Sequence, residues 1–264
     1  MQNIAMQVLN IKSLPMLKEE RFQYILRKLT QEQKVNLSHL SRELNVSSDT
    51  VRRDLKELTG KGLLQAVRGG AVLHSPTPHH FQDRVGYQAE QKKAIAAKAA
   101  AMIKGDEVVV LDSGTTALAI ASLLPSDLRI TVVTNSFPVA SVLESHPHIE
   151  VLFAGGRLYK SAFTTTGHDT IRFFRNIRAD IYFMGICSIH HAIGVTTINY
   201  EEAEVKKTIV EVSKHVVALT TPERIGTAEA FFICPIEMVD SIITDDESAA
   251  TAKELLAGTS VTIL

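Results

Sequence analysis

Residues 36–58 read NLSHLSRELNVSSDTVRRDLKEL, and the spacing of their apolar residues predicts two short helices joined by a turn. In the first helix, over residues 36–44, leucines recur at i, i+3 and i+7. In the second helix, Val51 starts an apolar series at i, i+4 and i+7. Each helix thus offers one apolar stripe to a shared core, and Ser47 or Ser48 is expected to cap the second helix. The stretch predicts a helix-turn-helix.

The polar face of the second helix carries side chains that suit DNA. Thr50, Arg52, Arg53 and Lys56 lie off the apolar stripe, where a recognition helix needs donors for base edges and phosphates. The simpler alternative is a solvated basic face. The flanking sequence decides between the two.

A hairpin with two glycines in its turn follows the second helix. Residues 63–67 and 71–73 each predict a strand, and Arg68-Gly69-Gly70 between them predicts a tight turn that needs glycine conformations. This hairpin is typical of a wing with Arg68 at its tip, and it favours DNA binding over a solvated face. The candidate DNA-binding residues are Ser47, Ser48, Thr50, Arg52, Arg53, Lys56, Arg68 and Gly69.

A further amphipathic helix over residues 18–29 completes a winged domain at residues 16–73. This domain holds 11 Lys and Arg against 7 Asp and Glu, whereas residues 74–264 hold 16 against 22. Electrostatic attraction to a phosphate polymer is therefore predicted for the first part alone.

Whole-chain composition excludes several other classes of protein. The 264 residues are 45% hydrophobic, which is enough for a substantial core. Cys187 and Cys234 match no metal-ligand spacing, so neither a metal site nor a disulfide is predicted, and a cytoplasmic location is expected. No run approaches the roughly 18 apolar residues of a membrane span, and no signal peptide is visible. Residues 1–15 are interpreted as a tail or as a start placed ahead of Met16.

The region between the two parts lacks periodicity. Residues 74–80 contain two prolines and three histidines and are predicted to be a linker. Those histidines have no carboxylate or cysteine partners nearby, which argues against a metal cluster. Residues 81–90 are predicted to form an extended arm, followed by an alanine-rich helix over 91–103. The second domain is assigned to residues 91–264.

Buried strand runs alternate with amphipathic helices through this second domain. Continuous Val, Ile and Leu runs predict a mostly parallel sheet covered by helices on both faces, an α/β architecture. Ligands in such sheets bind at the carboxyl ends of the strands. The predicted strands lie at 108–111, 130–133, 151–153, 181–184, 216–219, 242–243 and 261–263.

The residues that follow these strands are rich in hydroxyls, amides and glycines. Residues 112–116, Asp-Ser-Gly-Thr-Thr, open a helix over 117–124 and combine backbone N–H groups with hydroxyls, which suits a phosphate. Because a hydroxyl-rich turn is also an ordinary helix cap, the prediction depends on other loops converging there into a pocket for a small phosphorylated polyol. The candidate effector-binding residues are Asp112, Ser113, Gly114, Thr115, Thr116, Asn135, Ser136, Gly155, Gly156, Glu202, Lys206 and Arg224.

Both parts resemble one family. Residues 46–55 and the hairpin behind them resemble the winged helix-turn-helix of DeoR-type bacterial transcriptional regulators, and residues 91–246 resemble the sugar-phosphate-sensing domain of that family, which is similar in fold to ribose-5-phosphate isomerase. The motifs of the second part are Asp-Ser-Gly-Thr-Thr at 112–116, Val-Thr-Asn-Ser at 133–136, Ala-Gly-Gly-Arg-Leu at 154–158 and Glu-Ala-Glu-Val-Lys-Lys at 202–207. The resemblance implies operator DNA, a phosphorylated sugar and a dimeric or tetrameric assembly, without a cofactor.

One loop departs from the family pattern. Residues 221–226 read Thr-Pro-Glu-Arg-Ile-Gly, where the family has Asp, any residue, Ser, Lys, an aromatic residue and Gly. Arg224 is thus expected to replace the lysine as a phosphate partner, while the usual acidic residue is missing.

Two rival functions follow from the same features. A sugar-phosphate isomerase needs carboxylates to move protons, but Met184, Cys187 and Val205 stand where the isomerase has its acidic residues, so an enzyme is not expected. The altered loop at 221–226 motivates the other rival, a DNA-binding protein with an inert oligomerisation domain. The favoured function is a repressor released from operator DNA by a phosphorylated sugar, with an activator as the alternative sign of regulation.

Overall fold

The structure is a computed structural model that describes residues 16–32 and 34–264. It divides into two compact units, Met1–Leu73 and His74–Leu264. The predicted tail or early start at residues 1–15 lies outside the described residues. Within the described ranges, no helix is both long enough and apolar enough to cross a membrane.

The described part of the N-terminal unit contains three helices and a three-stranded antiparallel sheet. These elements are α1 (Lys18–Glu32), β1 (Lys34–Asn36), α2 (Leu37–Glu43), α3 (Ser48–Gly60), β2 (Gln65–Val67) and β3 (Gly70–Val72). The predicted helix-turn-helix and wing are confirmed. Strand β1 was not predicted, and it pairs with β3 to give the order β1-β3-β2. Gly70 permits this pairing, because a Cβ there would lie 1.8 Å from the Val35 carbonyl oxygen.

The predicted apolar stripes form the core of this unit. Its buried members include Phe22, Ile25, Leu29, Leu40, Leu44, Val51, Leu55, Leu58 and Leu64. An ion pair joins α1 to α3 at the edge of this core, where Arg21 Nε and Nη2 donate to the two Asp54 carboxylate oxygens at 2.7 and 3.0 Å. The Asp54 side chain is only 5% exposed, so this two-pronged contact fixes α3 against α1.

The C-terminal unit, every residue of which is described, alternates strands and helices. Its helices are α4 (Phe81–Val85), α5 (Ala89–Met102), α6 (Thr115–Leu123), α7 (Phe137–Leu143), α8 (His168–Arg175), α9 (Tyr200–Val212) and α10 (Ala249–Leu255). Its strands are β4 (Val108–Leu111), β5 (Ile130–Thr134), β6 (Ile149–Phe153), β7 (Arg157–Tyr159), β8 (Thr164–Thr166), β9 (Ala179–Gly185), β10 (Ser188–His190), β11 (Gly194–Thr197), β12 (Ser213–Leu219), β13 (Phe231–Cys234), β14 (Ser241–Ile243) and β15 (Thr262–Ile263).

Seven of these strands form one sheet in the order β15-β14-β12-β9-β4-β5-β6, and every adjacent pair is parallel. Helices α5, α6 and α7 pack on one face and α8, α9 and α10 on the other, each with its own apolar cluster. The predicted parallel α/β fold is confirmed. The chain runs outward from β4 to β6, returns to β9 beside β4, and then runs outward in the opposite direction. The strand order therefore reverses between β4 and β9, where open parallel sheets bind ligands.

The prediction of an extended arm over residues 81–90 is wrong. Residues Phe81–Val85 form α4, and α5 begins at Ala89, after Gln88 takes a left-handed φ of +50°. The reason is tertiary: the Phe81 ring is buried, and its N–H donates to the Ser161 carbonyl at 2.6 Å, which docks this short turn on the unit.

Two small antiparallel sheets were also not predicted. Strands β7 and β8 form a hairpin, and β10, β11 and β13 form a three-stranded sheet. Strands this short carry too few residues for a period of two to stand out in the sequence. Helix α6 begins at Thr115, two positions ahead of the predicted start at 117.

Candidate DNA interface and effector pocket

The start of α3 is set by its capping residue. Ser47 Oγ accepts a hydrogen bond from the Thr50 N–H at 3.1 Å, so Ser47 is the cap and Ser48 is the first residue of the helix. Asp49 in the first turn stabilises the positive end of the helix dipole and also pairs with Arg52. The hydroxyl-bearing candidates Ser47, Ser48 and Thr50 thus cluster at the N-terminus of α3.

A surface groove lies between α3 and the wing. Arg52 and Lys56 line it from the helix, and Arg68 and Gly69 line it from the wing turn. Gly69 has a φ of +88°, and its carbonyl accepts a hydrogen bond from the Leu37 N–H at 2.8 Å, which ties the wing to the start of α2. Three cationic side chains therefore face one groove.

Four of the candidates do not line this groove, namely Ser47, Ser48, Thr50 and Arg53. Arg53 is the charged residue of these four. It is exposed on α3, beside Arg52. Its contact with DNA stays a prediction.

The C-terminal unit has its own pocket at the carboxyl ends of β4 and β9, where the strand order reverses. The lining residues are Arg84, Ser113, Gly114, Thr115, Thr116, Ala117, Gly185, Ile186, Cys187, Glu202 and Arg224. Six of the twelve predicted effector residues thus meet in one place: Ser113, Gly114, Thr115, Thr116, Glu202 and Arg224. The sequence could not show this meeting, because it depends on the strand order.

The pocket contains the N-terminus of α6. Gly114 precedes this helix with a φ of +132°, a conformation that side-chain-bearing residues rarely adopt, and a Cβ placed there would meet no atom within 4 Å. Within the described chain, no side chain caps the helix. Its first N–H groups and the positive end of its dipole are therefore available to an anion.

A buried ion pair forms the floor beneath the pocket. The Asp112 carboxylate accepts hydrogen bonds from Lys206 Nζ and the Tyr182 hydroxyl, and from the Gly185 N–H at 3.1 Å. Lys206 also donates to the Gly185 carbonyl at 2.8 Å. Burial opposes the charge on Lys206, but the carboxylates of Asp112 and Glu202 raise its pKa above the ordinary value. Lys206 is thus a charged, buried partner of Asp112 rather than a lining cation.

Glu202 connects α9 to the 112–116 loop that lines the pocket. Its two carboxylate oxygens accept hydrogen bonds from Ser113 Oγ at 2.7 Å and from Thr197 Oγ1 at 3.3 Å. The Glu202 N–H donates to Asn199 Oδ1 at 2.9 Å, and this side chain caps α9. This network holds the 112–116 loop against α9.

The cations that line the pocket are two arginines. Arg224 is 7% exposed, and its Nη1 donates to the Ile186 carbonyl. The Nε atoms of both Arg224 and Arg84 are buried, and neither has a hydrogen-bond partner among the described residues. Burial lowers the pKa of Arg224, and the charge of Arg84 lowers it further. Two guanidinium groups thus meet at the pocket with unused donors.

Lys92 on α5 adds a third cation to this cluster. It is buried and donates from Nζ to the Arg84 carbonyl at 2.6 Å. Burial, together with the charges of Arg224 and Arg84, lowers the pKa of Lys92 to about 8. Sequence analysis missed Arg84 and Lys92, because both lie outside the loops that follow the strands. The available signal was the i, i+3 spacing of Phe81 and Arg84, because residues three apart lie on the same face of a helix.

Besides Asp112 and Lys206, four predicted effector residues lie outside the lining of this pocket. Asn135 Nδ2 donates to the Thr165 carbonyl at 2.8 Å, and Ser136 forms a bridge with Thr164, so both contact β8. A Cβ on Gly156 would lie 2.2 Å from Thr170 Oγ1, which explains the glycine by packing on α8. The other residue of this group is Gly155. Asn135 Oδ1 and Ser136 Oγ are buried without partners in the described structure, so their predicted contact with an effector stays a prediction.

Cys187 lines the pocket but does not have the surroundings of a nucleophile. Burial raises the pKa of its thiol, and its sulfur lies 3.4 Å from Thr197 Oγ1. Met184 and Val205, which stand at positions of isomerase carboxylates, are buried in the core. Among residues 16–32 and 34–264, no group of three or more His, Cys, Asp or Glu side chains is placed to hold a metal ion.

These features together define a class of protein. A basic groove between a helix and a wing is joined in one chain to a parallel α/β unit with an anion pocket, as in a two-domain regulator that binds DNA and senses a small molecule. Family comparison agrees, since the DeoR-like helix-turn-helix domain matches residues 21–77 and the DeoR C terminal sensor domain matches residues 87–246. The chain belongs to the DeoR family of transcriptional regulators.

Individual relatives match over most of their length. The HTH-type transcriptional regulator GolR of Listeria innocua is 34% identical, over 86% of this chain and 91% of that protein. The glycerol-3-phosphate regulon repressor of Escherichia coli is 31% identical, over 90% and 94% respectively. The HTH-type transcriptional repressor GlcR of Bacillus subtilis is 32% identical, over 87% and 89%. These relatives are regulators, and this chain is a regulator rather than an enzyme.

The solved structures show a more distant likeness. Ribose 5-phosphate isomerase A from Methanocaldococcus jannaschii aligns with a TM-score of 0.38 and 15% identity, over 52% of this chain and 54% of that chain.

Proposed function

We propose that this protein represses genes for the metabolism of a phosphorylated sugar or polyol, and that binding of that compound in the C-terminal pocket releases operator DNA. The observation that carries the proposal is the uncapped N-terminus of α6 beside the buried Arg224, whose Nε has no hydrogen-bond partner among the described residues. A phosphate would accept hydrogen bonds from both. The name of the E. coli relative, a glycerol-3-phosphate regulon repressor, supports the same effector class.

The rest of the lining suits the hydroxyl groups of a sugar or polyol. Thr115 and Thr116 offer hydroxyls at the start of α6, and the Glu202 carboxylate is held nearby by Ser113. Carboxylate and hydroxyl oxygens are typical partners for ligand hydroxyls. The missing acidic residue at position 221 leaves Glu202 as the lining carboxylate of the pocket among the described residues.

Operator binding is proposed to require an assembly. A single winged domain makes few base contacts, so such domains bind tightly when a dimer or tetramer places several on repeated half-sites. Exposed Arg52, Arg53, Lys56 and Arg68 would contact DNA in each copy. An effector can release the DNA only by binding the released arrangement more tightly than the bound one.

Release of operator DNA tests the proposal directly. Arg224→Gln and Thr116→Val should bind operator as the parent does but need at least about tenfold more sugar phosphate for release, because each removes an effector hydrogen bond. Arg172→Gln, an exposed arginine on α8, is the matched control. Gly114→Val is a weaker test than these, since a φ of +132° would strain any side chain there.

A thermal-stability screen with sugar phosphates and their unphosphorylated parents separates the rival functions. Stabilisation by the phosphorylated compound alone supports a sensor. Chemical turnover of the compound would indicate an isomerase instead. If no compound of the panel stabilises the protein, and the variants release operator DNA as the parent does, the C-terminal unit is an inert oligomerisation domain.

A further inference from the structure

The α4 segment stands out because it contributes a cation to the pocket although it belongs to no strand or core helix. Arg84 is the residue of α4 that lines the pocket, while Gln82, Asp83 and Val85 are exposed. Its Nε is buried and has no hydrogen-bond partner in the described chain. An N–H group held in that way has lost water without gaining an acceptor, which is costly unless an acceptor arrives.

Charge around Arg84 is unbalanced. Arg84, Lys92 and Arg224 influence one another electrostatically, and Glu223 is the carboxylate that acts on Lys92 with them. The Glu223 carboxylate accepts a hydrogen bond from the Thr221 hydroxyl at 2.6 Å, and the same oxygen lies 3.8 Å from Arg224 Nε. Even with Glu202 in the lining and Glu223 beside it, these three cations outnumber the carboxylates, which favours the arrival of an anion.

The pocket is small. Its cavity measures about 20 Å³, roughly the room needed for one water molecule. A sugar phosphate is many times larger, so part of the lining must move before it can bind. Most lining residues belong to α6, β9, α9 and the turn Pro222–Arg224, which pack against the main sheet or its core clusters. Helix α4 has a single turn and one buried residue, Phe81, so it costs least to displace.

We infer that α4 is the closing element of the effector pocket, and that Arg84 and Arg224 bind the anionic group of the effector together. This inference rests on the proposed function and adds the regulation of its site. The chain enters α4 directly from residues 74–80, which follow the last residue of the N-terminal unit, Leu73. An effector that holds Arg84 would therefore restrain the C-terminal end of the segment that connects the two units. Effector binding could affect operator binding through this segment.

The test uses the full-length protein with inorganic phosphate as the probe. Affinity is measured by calorimetry in chloride buffer for the parent, Arg84→Gln, Arg84→Lys and Arg224→Gln. Arg84→Gln should weaken phosphate binding by about tenfold or more, and Arg84→Lys by less, because lysine keeps the charge but loses the planar fork. Arg172→Gln is the control, and it should bind phosphate as the parent does.

Hydrogen–deuterium exchange distinguishes an arginine that binds the anion from one that only stabilises the fold, because only the first makes exchange depend on phosphate. Phosphate should slow amide exchange across residues 81–92 in the parent, because the anion would hold α4 closed. The same saturating occupancy should leave exchange in this segment unchanged in Arg84→Gln. Peptides from α8 should not respond in either protein.

The outcomes distinguish the two proposals. If Arg224→Gln loses phosphate but Arg84→Gln binds it as tightly as the parent, or if exchange at 81–92 ignores phosphate, the role of α4 is refuted while the proposed function stands. If Arg224→Gln also binds as the parent does, or if the parent binds no phosphate, the anion site itself is misplaced and both proposals fall.

Discussion

Replacing Lys206 by methionine should destabilise the C-terminal unit by about 3–5 kcal/mol, because it leaves the Asp112 carboxylate buried without its cation. Both side chains are almost fully enclosed, at 3% exposure for Lys206 and 2% for Asp112. The variant loses the ion pair and the 2.8 Å hydrogen bond to the Gly185 carbonyl. Only Tyr182 and the Gly185 N–H would still donate to the carboxylate. Methionine preserves most of the side-chain volume, so a cavity contributes little.

Urea denaturation followed by tyrosine fluorescence measures this loss, since every tyrosine except Tyr24 lies in the C-terminal unit. Lys207→Met is the matched control, because Lys207 is exposed one position later on α9, and it should shift the free energy of unfolding by less than about 0.5 kcal/mol. Adding Asp112→Asn to Lys206→Met should cost less than the sum of the two single changes, because the uncompensated charge is then gone. Equal stability of Lys206→Met and Lys207→Met would refute the buried ion pair as the floor of the pocket.

Four further outcomes are expected. Arg52→Ala should weaken operator binding by about 1–3 kcal/mol in gel-shift titrations with folding intact, and unchanged affinity would contradict the assigned interface. Asp54→Ala should destabilise the N-terminal unit by about 3–5 kcal/mol in thermal melts, since it leaves Arg21 without its partner, and an unaltered melting temperature would disprove that contact. Burial and nearby arginines lower the pKa of Lys92 from 10.5 to about 8, so between these pH values the unfolded chain carries a proton that the folded chain lacks, and stability should rise with pH. Lys92→Met should abolish this component of the rise, and an identical pH profile in parent and variant would count against the shifted pKa. Residues 74–264 alone should fold without binding operator DNA, and retained specific binding would overturn the division between the two units.

Much of the N-terminal unit could be predicted because its signals are local. The leucine spacing of α2, the serine before α3 and the glycines of the wing turn each act within a few residues, so they are visible in the sequence. The exception is β1, whose pairing with β3 depends on the close approach at Gly70. That contact joins distant parts of the chain and leaves no periodic pattern.

The candidate pocket was predictable only in part. The 112–116 loop follows a buried strand and opens a helix, a combination that sequence periodicity reveals. The meeting of this loop with Arg224 depends on the order of parallel strands, which no local signal encodes. Lys206 shows the same limit: its helical position suggested a lining cation, but the fold buries it beneath the pocket against Asp112.

By itself, the sequence determined the two kinds of domain, the start of α3 and the position of the hydroxyl-rich loop that opens α6, because apolar period, capping chemistry and glycine conformations are short-range properties. Only the tertiary structure decided that the strand order reverses between β4 and β9, that Asp112 and Lys206 neutralise each other, and that Arg84 reaches the same pocket as Arg224. These arrangements join residues far apart in the chain. They arise when the sheet assembles and buried charges take the partners that assembly brings within reach.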